Sequence, residues 1–114
     1  MFTFLVKFLS AKPRIVQPPG DVIVKEGSPA KFVCNATGDP QPTVIWEKQG
    51  KGSSSMFPAM NYYGGRFSVS SYGLSLDISR VEKQDEGVYT CWALIPGATI
   101  SADATLTVIG TSMI

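Results

Sequence analysis

The run Asp85-Glu86-Gly87-Val88-Tyr89-Thr90-Cys91 joins a tight turn to the start of a strand. Aspartate and glycine suit the reversal, because glycine adds backbone freedom where the chain turns sharply. After the turn the residues alternate. Tyr89, Cys91 and Ala93 fall on one side and Thr90, Trp92 and Leu94 on the other, the period of a half-buried strand. Upstream, Ala30, Phe32 and Cys34 alternate with Lys31, Val33 and Asn35 in the same way. Trp46 stands twelve residues after Cys34, on a segment that turns Val44 and Trp46 inward and Ile45 outward.

Working outward, the remaining segments repeat this grammar. Pro13 to Pro19 reads as an edge strand broken by prolines, which have no N–H for a ladder. Val22 and Val24 share one face of the next piece, ending at Gly27. Arg66-Phe67-Ser68-Val69 resumes the pattern, and Leu74, Leu76 and Ile78 form an inward set. The last strand, 102–108, turns Ala104, Leu106 and Val108 inward. Residues 49–65 are rich in glycine, serine and aromatics and read as a long connection with at most a short edge strand. Seven to nine short strands, no amphipathic helix and no internal repeat make the chain all-β.

Bulk properties narrow the function. At 114 residues the chain holds one domain, large enough for a single core. A net charge of +1 with 17% charged residues draws it to no nucleic acid. Lys48, Lys51, Arg66, Arg80 and Lys83 are spread among acidic neighbours, which argues against a heparan sulfate site. There is no histidine, so no imidazole is at hand to activate a serine or thiol. Two cysteines cannot complete a tetrahedral zinc site. The chain therefore reads as neither an enzyme nor a cofactor or metal carrier. Residues 1–11 read either as a weak signal peptide or as a truncated start. Lys7 interrupts the apolar run and no basic residue precedes it, which favours truncation. No run reaches the ~18 apolar residues that span a bilayer, and residues 110–114 read as a tail.

Cys34, Trp46 and Asp85-x-Gly87-x-Tyr89-x-Cys91 together resemble the immunoglobulin sandwich. That resemblance implies two antiparallel sheets joined by a Cys34–Cys91 disulfide. Trp46 would pack on the sulfurs, and the Tyr89 hydroxyl would bond backbone upstream. Gly87 would serve the turn before Tyr89, and an Arg66–Asp85 salt bridge would close the bottom of the sandwich. A disulfide implies an oxidising compartment, with the reduced cysteines of cytosolic muscle domains of this fold as the alternative.

Gly38-Asp-Pro-Gln-Pro-Thr-Val-Ile-Trp46 and Ala104-x-Leu106-x-Val108 look like an I-set domain of a neural cell-surface receptor. Met56-Phe57-Pro58, Gly65-Arg66-Phe67-Ser68-Val69-Ser70 and Cys91-x-x-Leu94 resemble the fourth immunoglobulin domain of Roundabout axon-guidance receptors, over roughly 12–109. Ile95-Pro96 departs from that family, which usually has an asparagine after the leucine. The resemblance implies an extracellular recognition module whose partner is a second receptor copy or an adjacent domain. The alternatives are a secreted decoy or immune recognition protein and a structural domain of an intracellular muscle protein. Asn35-Ala36-Thr37 is a glycosylation sequon if the chain is secreted. Ile45, Trp92 and Leu94, with Met56 and Phe57 nearby, form the expected interface, unless the long connection covers them.

Overall fold

The computed structural model describes residues 12–50, 56–57 and 65–110. The expectations for residues 1–11, for most of the long connection and for the last four residues of the tail lie outside them. Among the described residues ten strands are formed: β1 (Arg14–Gln17), β2 (Val22–Lys25), β3 (Ala30–Val33), β4 (Asn35–Thr37), β5 (Thr43–Lys48), β6 (Met56–Phe57), β7 (Phe67–Val69), β8 (Ser75–Ile78), β9 (Gly87–Ile95) and β10 (Ala98–Ile109). One sheet runs β2-β10-β9-β5-β6 and the other β3-β8-β7, with β1 and β4 pairing separately. Between β8 and β9 and before β8 lie two short 3-10 turns, and the described residues contain no α-helix.

The core forms where the two inward sets meet. Phe32, Phe67, Leu76, Ile78 and Val81 face Val44, Trp46, Tyr89, Cys91, Leu106 and Val108, all buried. Phe32 stacks on Tyr89 with ring centres 5.2 Å apart, and Phe67 stacks on the same ring at 6.4 Å. Aromatic side chains bring large apolar area to a small core, which is why Phe32, Phe67, Tyr89 and Trp46 gather there. The two-layer, all-β sandwich implied by the resemblance is the observed architecture.

Three details depart from the sequence reading, each for a physical reason. The sheets are not wholly antiparallel, because β2 runs parallel to β10. β1 pairs antiparallel with β4, Pro18-Pro19 then end its ladder, and the chain changes sheets without reversing. Leu74 is not part of the inward set. It is 42% exposed, since the 3-10 turn Ser71–Gly73 leaves it in a helical backbone conformation and resets the alternation before β8. The last strand starts at Ala98, earlier than expected, because Pro96-Gly97 makes a tight turn and Ile95 pairs directly with Ala98.

Candidate functional site

Cys34 and Cys91 form a disulfide between the sheets, with Cα atoms 6.5 Å apart. Cys34 sits where β3 hands over to β4, and its N–H donates to the Leu74 carbonyl at 2.9 Å. Trp46 lies opposite Cys91 in the β5–β9 register and is fully buried. Its indole N–H donates to the Gly73 carbonyl at 2.8 Å. Gly73 has φ +74°, and a side chain there would collide with the Val44 backbone. Only glycine lets the 3-10 turn sit this close to β5. The Tyr89 hydroxyl donates to the Asp85 carbonyl at 2.6 Å. The Lys48 side chain passes over Gly87, 3.1 Å from where a Cβ would stand, and donates to the Gln84 carbonyl.

At the base, Arg66 grips Asp85 with two hydrogen bonds of 2.7 and 3.0 Å. It also donates to the Arg80 carbonyl and lies 3.4 Å from Glu82. The hydrogen bond to Asp85, more than any other contact, raises the Arg66 pKa above its ordinary value. Glu86 accepts the Val108 N–H at 3.0 Å and faces Lys83 at 3.2 Å. These two hydrogen bonds, the backbone one foremost, hold its carboxyl below the usual range. A depressed carboxyl adds stability above its unfolded pKa, and that contribution is lost as pH falls through the folded value. Glu86→Gln is therefore expected to flatten the acid loss of stability below about pH 5, measured as urea midpoints between neutral and acid pH. An unchanged acid slope would show that Glu86 carries none of it.

On the outer face of the five-stranded sheet, Ile45 pairs with Trp92 and Thr43 with Leu94. Ile45, Trp92 and Leu94 are all half-buried. The Trp92 indole N–H donates to Glu47 at 2.9 Å, which fixes the ring on the sheet. Beside it Gln49, Thr90 and Asp103 form a hydrogen-bonded row, with Thr90 bonding both neighbours. Thr90 is buried by this row although it faces away from the core. Met56 and Phe57 stand opposite Glu47 and Trp46 on the edge strand β6; their side chains lie outside the described residues.

Larger apolar exposure lies elsewhere. Tyr72 is 88% exposed, and Ile23, Ile109, Val16 and Leu74 are also out in solvent. Tyr72 has φ +64°, a left-handed backbone that costs a residue other than glycine about 1–3 kcal/mol. Sequence reading missed it, although the Ser70-Ser71-Tyr72-Gly73 run is a turn signal with an aromatic at its tip. Tyr72 and Leu74 line a groove of about 800 Å³ with Asn35, Pro42, Ile45 and Val69. Asn35 and Thr37 are both exposed on β4. Among the described residues, none that lines the groove carries a charge. Among the described residues no three His, Cys, Asp or Glu side chains cluster as a metal site would need. Among the same residues no helix is long and apolar enough to cross a membrane. The geometry offers surfaces for contact and no nucleophile–base pair in the groove.

Comparisons with known proteins agree with this geometry. The family model described as immunoglobulin domain matches residues 12–94. A peroxidasin homolog of Caenorhabditis briggsae is 40% identical over 109 residues, covering 95% of this chain and 8% of that protein. Human Roundabout homolog 2 is 38% identical over 99 residues, 86% of this chain and 7% of that protein. In structure, a titin M10–obscurin-like 1 immunoglobulin complex superposes with a TM-score of 0.76 at 28% identity, covering 91% of this chain and all of that one. The chain thus spans less than a tenth of the curated relatives it matches.

Proposed function

The chain belongs to the immunoglobulin-domain family, and from that membership we propose that it is a non-catalytic protein-recognition module of a Roundabout-like cell-surface receptor. On this reading it acts outside the cell, in axon guidance and cell–cell adhesion, and its partner is a second receptor copy. The observation that carries it is the Ile45–Trp92 pair across β5 and β9, with Leu94 alongside and the indole held by Glu47. An aromatic anchor with little rotamer freedom to lose, flanked by aliphatics, is the composition of a binding hot spot. The similarity to Roundabout homolog 2, with the Met56-Phe57-Pro58 and Gly65–Ser70 motifs, supports the finer placement as an I-set domain like the fourth of that receptor, spanning 12–109.

A second reading is a recognition module within a peroxidasin-like protein, favoured by the higher identity to that relative. Kinship with titin domains keeps an intracellular structural role as the reading to be tested against. Linked cysteines in protein recovered from cells support the extracellular readings, and free thiols support the intracellular one.

Self-association tests the homophilic partner. Sedimentation of the full chain over a wide concentration range is expected to show a dimer. Trp92→Ala is expected to weaken it roughly thirtyfold, the effect of losing about 2 kcal/mol at a hot spot. A wild-type chain that stays monomeric throughout, or a dimer indifferent to Trp92→Ala, would sink the homophilic reading.

A further inference from the structure

We infer that Asn35 carries an N-linked glycan whose first sugars lie in the neighbouring groove against the ring of Tyr72. Three observations meet here. Asn35-Ala36-Thr37 is an acceptor triplet whose Asn35 and Thr37 are both exposed. Asn35 itself lines the groove, together with Tyr72 and Leu74. Among the described residues the lining is uncharged, with Gln41, Thr43 and Ser70 as neutral hydrogen-bonding side chains beside Asn35. A sugar has the matching chemistry, with a C–H face to pack on an aromatic ring and hydroxyls for neutral polar groups.

The platform is rigid. The Cys34 N–H bonds the Leu74 carbonyl, so the residue next to Asn35 is tied to the residue two beyond Tyr72. Gly73 is pinned to β5 through the Trp46 indole. Held on both sides, the turn presents Tyr72 outward in a backbone conformation that such a side chain rarely adopts. An 88% exposed tyrosine on a clamped turn is unexplained by the core, and a covering glycan accounts for it. Trp92 lies outside the groove, so a glycan here leaves that ring accessible.

The modification is a transfer from a lipid-linked oligosaccharide. The Asn35 amide nitrogen bonds to C1 of the first sugar, the lipid pyrophosphate leaves, and the amide proton is released. The inference rests on the extracellular reading only in requiring that the chain enter the secretory pathway. It is independent of any partner, so failed self-association would not touch it.

The full chain, placed behind a cleavable signal sequence and secreted from a eukaryotic host, is the material for the test. Intact mass is expected to show a glycan that a peptide N-glycosidase removes and that is missing from Thr37→Ala. The wild-type glycoform should melt about 4 °C above Thr37→Ala. In a Tyr72→Gly background, where glycine suits the left-handed backbone, that gap should shrink below about 1 °C. Secreted wild-type protein with bare Asn35 overturns the inference. A glycan whose stabilisation is the same with and without Tyr72 overturns its placement in the groove.

Discussion

Asp85→Ala is expected to lower the unfolding free energy by about 3–5 kcal/mol, the cost of stranding a buried charge without its partner. Asp85 is 1% exposed, and its carboxylate accepts two hydrogen bonds from Arg66 and one from the Glu82 N–H. Truncation removes both Asp85 hydrogen bonds from the Arg66 guanidinium, itself only 9% exposed as a side chain, and leaves it the Arg80 carbonyl and the more distant Glu82. It also frees the backbone on which Tyr89 depends, since the Asp85 carbonyl accepts the tyrosine hydroxyl. A domain of this size has only about 5–15 kcal/mol in all, so the variant should be largely unfolded in mild denaturant. Equilibrium urea unfolding followed by tryptophan fluorescence measures it. Asp85→Asn, which keeps the shape and one acceptor, should lose less. A loss under about 1 kcal/mol for the alanine variant would mean that water replaces the carboxylate, contrary to the burial seen here.

Replacing both cysteines, as Cys34→Ala with Cys91→Ala, is expected to cost about 4 kcal/mol. The disulfide joins residues 57 apart in sequence, and the chain-entropy model assigns roughly that much to a loop of such length. The cavity left is small, because alanine keeps the Cβ and both sites are fully buried among Trp46, Phe32 and Tyr89. The measurement is the midpoint of guanidinium unfolding for the oxidised wild type against the double variant. An equal midpoint would show that the core alone holds the sheets together. It would also remove the stability argument for an oxidising compartment and strengthen the intracellular reading.

The strands and their inward faces were legible because the cause is local and periodic. Tyr89, Cys91 and Ala93 on one strand, and Phe32 and Cys34 on another, alternate with polar neighbours, and a strand has no other way to bury one face. The outward direction of Ile45 and Trp92 follows from the same alternation. How far those side chains stand in solvent does not follow from it. Burial of Trp92 depends on Glu47, which lies on another strand, and burial of Thr90 depends on Gln49 and Asp103.

Leu74 shows where alternation fails. One 3-10 turn shifts the phase and sends an apolar residue outward, and that turn exists because Gly73 packs against a strand far away in sequence. The parallel run of β2 beside β10 was equally hidden, since it depends on which sheet the chain enters after Pro18-Pro19. Alternation within each strand was enough to mark an all-β chain and most of its inward residues, while the sandwich and the cysteine pair were read from the resemblance to the immunoglobulin signature. The groove beside Asn35 and the exposed ring of Tyr72 were decided only by tertiary structure, because they arise where β4, β5 and the turn before β8 meet.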